Sequence, residues 1–251
     1  MNVTKTVISV GADRLLLTIH ATPDSEHVYL GSAERFYAYT QVIHPLSPFY
    51  AAMGHSDATL VRIQYNMVNM TMLVALMVAI IRERYPSVAG LQFTDMSYRM
   101  CGNSETATLT EMYYIATGST WCETQFGAYL MDNEDVANFM VKTARFQEKK
   151  RLIPWISMKQ EIQVPLSFPV PDEELRQMYE SAVTWQDFFG PLRSRIGEDE
   201  FCMFVAPWLH RFLLMMVGFN FSGVTYRIPF DSAKIPRIIY TCEGRMENPD
   251  A

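Results

Sequence analysis

Residues 70–95, "MTMLVALMVAIIRERYPSVAGLQFTD", place a long apolar segment directly before a short one. The first segment predicts a helix over residues 66–85, because basic residues near its end suit the negative helix terminus and Pro86 cannot continue the helix. Apolar side chains cover most of its circumference, so we expect this helix to be buried on several sides. The second segment, residues 88–95, is typical of a buried strand. Together they indicate a protein that combines helices with a sheet.

The segments before this stretch favour strands. "TVISVGADRLLLTIHA" predicts two strands around a hairpin turn at Gly11-Ala12-Asp13. The aromatic-rich residues 28–40 predict another strand, and residues 44–57, with two prolines and a glycine, predict a loop. We therefore predict an α+β fold, in which a mixed central sheet is flanked by helices.

The segments after it favour helices. A helix over residues 104–117 is indicated by Ser104 as a cap and Gly118 just past the end. "MDNEDVANFMVKTARFQEKKRLIP" predicts an amphipathic helix, because acidic residues lie at its front, basic residues lie at its back, and Pro154 ends it. These signals predict an α+β domain over residues 1–153.

The sequence predicts that residues 154–251 form a mostly helical extension packed on that domain. A short helix begins at "PDEEL", and "TWQDFFGPL" predicts a turn or a further short helix. "GEDEFCMFVAPWLHRFLLMMVGF" predicts a helix that is kinked or divided at Pro207. "GVTYRIPF" predicts a strand, and the tail from Asp231 carries only weak signals.

The amino-acid composition excludes several classes of protein function. Hydrophobic residues make up 49% and charged residues 19% of the 251, which excludes general disorder. The net charge of −6 excludes bulk attraction to nucleic acid or to an anionic membrane. The apolar run at 72–81 has roughly half of the ~20 residues that a membrane span needs, so we predict a soluble protein without a span. The 17 methionines favour a surface for protein partners, since methionine adapts to irregular contacts.

The four cysteines are Cys101, Cys122, Cys202 and Cys242. None lies at metal-ligand spacing from another, so we predict no metal site. We interpret all four as reduced thiols of a cytoplasmic protein.

The phrase "TWCE" at 120–123 raises the main functional question. It matches a capping box, in which Thr120 and Glu123 bond to each other's backbone N–H groups at a helix start. Trp121 and Phe126 would then anchor this short helix to the core. The alternative is a nucleophilic Cys122, because a thiol in the first turn of a helix has a lowered pKa. That alternative needs a base, and no histidine is near in sequence, so we favour the structural reading.

Three residues are the candidates for catalysis: Asp95, Glu111 and Cys122. Asp95 follows a predicted strand, where active sites of α/β proteins often lie. Glu111 lies in the next helix and is a possible partner, although an exposed helical glutamate is the commoner outcome. Neither a phosphate-binding glycine loop nor a HExxH, GxSxG or DxDxDG motif is present.

The order of a helix, a strand, a helix and the short capped helix ending in "QFGA" resembles the C-terminal half of the GCN5-related N-acetyltransferase (GNAT) fold. The resemblance aligns Glu123 with a glutamate of that family's final motif and places Cys122 where the family often has a tyrosine as general acid. It also implies an acetyl-CoA phosphate site near Arg62 and Gln64. This segment, "DATLVRIQYNMVNMTML", has none of the family's glycines, so the backbone cannot easily approach a phosphate.

A longer stretch, "FTDMSYRMCGN…LTEMYYIATGSTWCETQFGAYL", is similar to uncharacterised proteins of large (nucleocytoplasmic) double-stranded DNA viruses. Their recurring phrase is D-x-S followed by G-x-T-W-Y-E-x-x-F-x-A, and Asp95, Ser97, Trp121 and Glu123 are among the residues that fit it. This resemblance implies a protein of the virion or of the host cytoplasm.

Three functions follow as hypotheses. The first is a non-enzymatic viral protein with a degenerate acetyltransferase-like domain, which needs no cofactor and acts through protein–protein contacts. The second is a CoA-dependent N-acetyltransferase with an atypical cofactor loop. The third is a thiol-dependent enzyme built on Cys122.

Overall fold

An antiparallel meander of five strands begins the chain. The computed structural model describes residues 2–32, 34–44, 47, 57–63, 70–95, 98–102, 105–131, 133–162, 164, 168–218, 221 and 223–246. Each of the first five strands pairs with the next in antiparallel register. Their bounds are β1 Asn2–Val10, β2 Asp13–Ala21, β3 Ser25–Gly31, β4 Phe36–Ile43 and β5 Ala58–Ile63.

The meander confirms one predicted turn and corrects one predicted strand. Val10 pairs with Asp13, so Gly11 and Ala12 form the expected hairpin loop, with Gly11 at a φ of 59°. The single strand predicted over residues 28–40 is wrong, because the chain turns within it and forms β3 and β4. Gly31 has a φ of 117°, which glycine adopts readily and other residues rarely do. Most of the loop predicted over 44–57 lies outside the described residues.

The apolar stretch at residues 70–95 forms a crossover between parallel strands. Helix α1, Met70–Arg84, has mostly buried side chains and packs on β4 and β5. It leads into β6, Gly90–Thr94, which pairs in parallel with β5 through Ala58 and Leu91. The buried helix and the buried strand are thus confirmed, except that residues 66–69 lie outside the described residues.

Among the residues that the structure describes, the sheet has nine strands in the order β11-β1-β2-β3-β4-β5-β6-β10-β9. It is mixed, because the β5–β6 pair is parallel while the meander is antiparallel. The predicted α+β class with a mixed sheet and helices is therefore confirmed. Of the strands in this sheet, the sequence did not predict β5, β9 or β11. The remaining strands are β7 Tyr98–Cys101, β8 Glu105–Thr108, β9 Tyr129–Leu130, β10 Thr225–Pro229 and β11 Thr241–Met246, and β7 with β8 forms a separate two-stranded sheet.

In the described part of the chain, eight further α-helices follow β8. The helix predicted from Ser104 begins later, because residues 105–108 form β8 and Thr108 supplies the cap: its Oγ1 accepts from the N–H of Glu111 at 3.3 Å. Gly118, in the left-handed region at a φ of 75°, ends that helix as expected. The bounds are α2 Leu109–Thr117, α3 Trp121–Phe126, α4 Asn133–Lys149, α5 Trp155–Ile162, α6 Asp172–Ser181, α7 Trp185–Ile196, α8 Glu198–Val205 and α9 Leu209–Val217.

The helical character expected after Pro154 is confirmed. The apolar run around Pro207 divides into α8 and α9, as proline predicts. "TWQDFFGPL" belongs to α7, a full helix of 12 residues rather than a turn or a short helix. Among the described residues, no single helix has both the length and the apolar character of a membrane span, and one bent pair, α8 with α9, reaches them only when its two members are taken together.

The chain divides into two compact units, and neither is continuous in sequence. The first comprises Met1–Thr94, Gln125–Tyr129 and Tyr226–Ala251, and the second comprises Asp95–Thr124 and Leu130–Thr225. The second has an aromatic core around Trp185, whose ring lies near those of Phe146 and Phe212. The boundary predicted after residue 153 falls inside the second unit, and an autonomous domain before it stays a prediction.

A disulfide bond joins Cys101 of β7 to Cys202 of α8, with 5.2 Å between their Cα atoms. The prediction of four reduced thiols is therefore wrong for these two residues. The sequence hides the pairing because 101 positions separate the cysteines and only the packing of α8 on β7 brings them together. Cys122 and Cys242 are free thiols, the first buried and the second exposed.

Candidate functional site

Asp95 lies directly after β6 and begins the second unit, where its backbone is hydrogen-bonded. Its N–H donates to the carbonyl of Val224 at 3.1 Å. Its carboxylate oxygen Oδ2 accepts a hydrogen bond from the hydroxyl of Thr110 and lies 3.7 Å from the thiol sulfur of Cys122. All three side chains are buried, and we call them the Asp95 cluster. The structure thus brings together two of the three catalytic candidates, Asp95 and Cys122.

The environment of Cys122 opposes its use as a nucleophile. The residue is fully buried, and burial raises the pKa of its thiol well above the ordinary value, with the negative charge of Asp95 adding to the effect. The lowered pKa that the nucleophilic alternative requires is therefore wrong, because burial away from water disfavours the charged thiolate. A protonated thiol serves as a hydrogen-bond donor to Asp95, and a thiolate is the reactive form.

Glu111, the third candidate, has a separate partner. Its carboxylate oxygen Oε1 lies 2.7 Å from Nδ1 of His210, which joins α2 to α9. The glutamate side chain is 4% exposed and the histidine side chain is 60% exposed. The expectation that Glu111 is an exposed helical residue is therefore wrong. We call these two residues the Glu111–His210 pair; within the described part of the chain, the other ring nitrogen of His210 makes no hydrogen bond.

The capping box predicted for 120–123 is present. The Oγ1 of Thr120 accepts from the N–H of Glu123 at 3.3 Å, and the carboxylate of Glu123 accepts from the N–H of Thr120 at 2.7 Å. Trp121 is 7% exposed and Phe126 is fully buried, as anchors should be. The carbonyl of Phe126 accepts from the hydroxyl of Ser232 at 2.6 Å.

A second capping box begins α7. The Oγ1 of Thr184 accepts from the N–H of Asp187 at 3.1 Å, and the carboxylate of Asp187 accepts from the N–H of Thr184 at 2.9 Å. Sequence reasoning missed it, although "TWQD" repeats the pattern of "TWCE".

The first unit holds a charged group that sequence reasoning also missed. Asp57 is buried and accepts from Nε and Nη2 of Arg227, at 2.5 and 2.8 Å, and from Nε2 of Gln92 at 3.1 Å. The hydrogen bond to Asp57 raises the pKa of Arg227 above its ordinary value, so the arginine stays charged. Nη1 of Arg227 donates to the hydroxyl of Tyr129 at 2.6 Å. This pairing ties β9 and β10 to the segment that begins β5, which is a structural role.

Of the two cofactor candidates, the structure describes only the backbone of Arg62. Arg62 is part of β5 and pairs in register with Tyr39 of β4. Gln64 lies outside the described residues, as does Ser97. Within the described residues, no group of three or more histidine, cysteine, aspartate or glutamate side chains is arranged to hold a metal ion.

Comparison with known proteins gives no match: no family model, no curated protein and no solved structure aligns with this chain. The acetyltransferase and viral resemblances stay predictions from the sequence.

Proposed function

We propose that this chain is a non-enzymatic protein that acts through protein–protein contacts and has an acetyltransferase-like fold without the chemistry of that fold. On the sequence resemblance, we assign it to a large DNA virus, as a component of the virion or of the infected host cytoplasm. The observation that carries the proposal is an exposed apolar surface on the second unit, formed by neighbouring helices α4 and α9.

Each of the two helices exposes two adjacent large apolar side chains. The exposed fractions are 67% for Met140, 51% for Val141, 49% for Leu214 and 58% for Met215. Helices α4 and α9 pack on each other, and Nζ of Lys142 donates to the carbonyl of Gly218 at 2.7 Å. Exposed large apolar side chains on neighbouring helices of a folded protein favour a contact with another protein, and methionine suits such contacts. We call these four residues the α4/α9 surface.

The catalytic candidates give further support. Cys122 is buried and protonated, and Thr120 and Glu123 bond to each other as a helix cap. A proton-transfer or nucleophilic role would require these groups to meet a substrate, and their contacts here are internal. The fold component of the proposal is supported by the order α1, β6, α2, which agrees with the helix and strand order of the resemblance apart from the β7–β8 hairpin inserted between β6 and α2.

An experiment that introduces negative charge tests the α4/α9 surface as the contact with a partner. A Met140→Glu/Met215→Glu double variant should lose the cross-linked partners that the wild-type protein forms in cells that produce it, because a buried carboxylate opposes an apolar contact. Ile239→Glu is the matched control, since Ile239 is 87% exposed and belongs to the first unit. Circular dichroism of all three proteins checks that the fold is kept. The same cross-links in wild type and double variant would refute the α4/α9 surface as the contact.

One observation favours a second function, a CoA-dependent N-acetyltransferase. The Glu111–His210 pair presents an imidazole to solvent and orients it through a buried carboxylate, an arrangement suited to accepting a proton from an amine. A ligand that binds only the native state raises the melting temperature. Acetyl-CoA and free CoA should leave the melting temperature unchanged if the first proposal holds. A dose-dependent rise, together with acetyl transfer that His210→Ala abolishes, would replace the first proposal with the second.

A further inference from the structure

The β7–β8 hairpin has little hydrophobic support of its own. It is a separate sheet of two strands with four residues each. Cys101 and Ala107 are its buried side chains, whereas Tyr98 and Met100 are 61% and 56% exposed. A two-stranded hairpin alone is marginally stable in water. Its position therefore depends on attachments to neighbouring elements.

Helix α8 supplies the attachment at the tip of the hairpin. The disulfide joins Cys101 to Cys202, and next to it Nη2 of Arg99 lies 2.6 Å from Oδ1 of Asp199. Nη1 of Arg99 also lies 3.7 Å from Oε2 of Glu198 on the same helix. The side chains of Asp199 and Glu198 are 88% and 44% exposed, and exposed ion pairs contribute little to stability. The covalent bond is accordingly the dominant link between hairpin and helix.

The base of the hairpin is held by different contacts. Asp95 precedes β7, Thr110 follows β8, and the hydrogen bond between them joins the two ends of the excursion. The buried thiol of Cys122 lies at the same base, 3.7 Å from Asp95. Breaking the bond at the tip leaves these contacts in place.

We propose that the Cys101–Cys202 disulfide is a redox switch that fixes the β7–β8 hairpin on α8 when oxidised and releases it when reduced. The reductant is a dithiol. One of its thiolates attacks a sulfur of the disulfide and forms a mixed disulfide, and its second thiol then displaces the protein sulfur. Two electrons and two protons pass to Cys101 and Cys202, which become thiols, and the reductant becomes a cyclic disulfide. An oxidised dithiol reverses the reaction.

The switch changes the presentation of Tyr98 and Met100. In the oxidised form, these exposed side chains stand at a defined place on a hairpin whose Gly102 lies beside α8, since a Cβ on Gly102 would be 3.5 Å from the sulfur of Met203. In the reduced form, the hairpin moves about its base. This inference does not rest on the α4/α9 surface, which lies on other elements.

Thiol labelling reads out the switch, because the chain contains its own internal standards. The protein is oxidised in glutathione buffer, treated with or without dithiothreitol, labelled with iodoacetamide and analysed by mass spectrometry. Without dithiothreitol, Cys242 alone should be labelled or carry glutathione, since it is the exposed free thiol and Cys122 is buried. With dithiothreitol, Cys101 and Cys202 should be labelled as well, while Cys122 stays protected. Hydrogen exchange should then speed up at least tenfold in residues 98–108 and stay unchanged in α7.

Three results would overturn the proposal. Labelling of Cys122 together with Cys101 and Cys202 would mean that reduction unfolds the second unit. Unchanged exchange of residues 98–108 would mean that the ion pair and packing hold the hairpin unaided. Failure of the disulfide to form in glutathione buffer would mean that it does not exist in solution. Cys202→Ser should behave like the reduced protein and Cys242→Ser like wild type; the dithiothreitol comparison on wild type decides the matter even if Cys202→Ser does not fold.

Discussion

The two capping boxes of the second unit have almost the same sequence, and only one contains a cysteine. "TWCE" begins α3 and "TWQD" begins α7, with the same pair of reciprocal hydrogen bonds in each. Because the second box forms without a cysteine, the pattern needs no catalytic explanation. The comparison teaches that the threonine and the acidic residue specify the helix start and that the tryptophan anchors the helix. The residue at the third position varies with the groups that it contacts.

The third residues differ accordingly. Cys122 donates toward Asp95, whereas Gln186 packs against Gly118, where a Cβ would lie 2.9 Å from its Oε1. The second residues differ in depth, since Trp185 is fully buried and Trp121 is 7% exposed. The two boxes thus share the same capping hydrogen bonds but differ in how deeply their tryptophans are buried. Four measurements distinguish the contribution of the caps from that of the buried side chains.

The largest difference should appear at the tryptophans. Trp185→Ala should lower the free energy of unfolding by about 4–5 kcal/mol and Trp121→Ala by about 3 kcal/mol, as measured by urea denaturation. Trp185 loses more because its ring fills the aromatic core and its Nε1–H donates to the carbonyl of Phe146 at 2.9 Å. Trp185→Phe, which keeps most of the ring, is the control and should lose clearly less. Equal decreases in the free energy of unfolding for the two alanine variants would show that the two tryptophans contribute equally to the core.

A glycine beyond the second box should rank next. A Cβ on Gly190 of α7 would lie 2.8 Å from the carbonyl oxygen of Ala116, so Gly190→Ala should force α7 away from α2 and cost about 1–3 kcal/mol. Ser194→Ala, also on α7 and exposed, should change stability by less than about 0.5 kcal/mol. Thermal denaturation compares the two. A Gly190→Ala protein as stable as Ser194→Ala would contradict the close packing of these helices.

The caps themselves should have smaller and similar effects. Thr120→Ala and Thr184→Ala should each lower the free energy of unfolding by about 1 kcal/mol, because each leaves one N–H of the first turn without its side-chain acceptor. Thr→Ser at the same positions keeps the hydroxyl and should retain most of the stability. A Thr120→Ala protein as stable as wild type would break the equivalence of the boxes and reopen the question of what "TWCE" is for.

The smallest effect should be a pH dependence at the second box. The hydrogen bonds from Thr184 hold the pKa of Asp187 below its ordinary value of 3.8. A carboxylate with a folded-state pKa below its unfolded-state pKa contributes stability above the unfolded value, and this is lost as pH falls through the folded value. Wild type should therefore lose more stability than Asp187→Asn between about pH 5 and pH 2. Parallel pH profiles of melting temperature would contradict this contribution.

The sequence predicted those features that depend on neighbours along the chain. The hairpin at Gly11 and the cap at Thr120 each involve residues within a few positions, so local patterns determine them. The division at Pro207 is equally local, because proline cannot donate a backbone hydrogen bond within a helix.

Features that depend on distant segments could not be read in this way. The Glu111–His210 pair joins residues 99 positions apart, and the Cys101–Cys202 bond spans 101. Of the site candidates, Asp95 and Cys122 were selected separately, and no spacing signal showed that they meet through Thr110. The weak tail after Asp231 forms β11 because β1 offers it a partner edge, which the sequence of the tail does not reveal.

The strand order of the sheet also determines when each strand can pair during synthesis. Strands β1 to β5 pair in the order in which they are made, so this meander can assemble while the chain is still growing. The outer neighbour of β1 is β11, and the neighbour of β6 is β10, and both strands are translated after every helix of the second unit. The nascent protein must therefore keep two open sheet edges from pairing wrongly until β10 and β11 have been made, and a chaperone that covers exposed edges would act in this period.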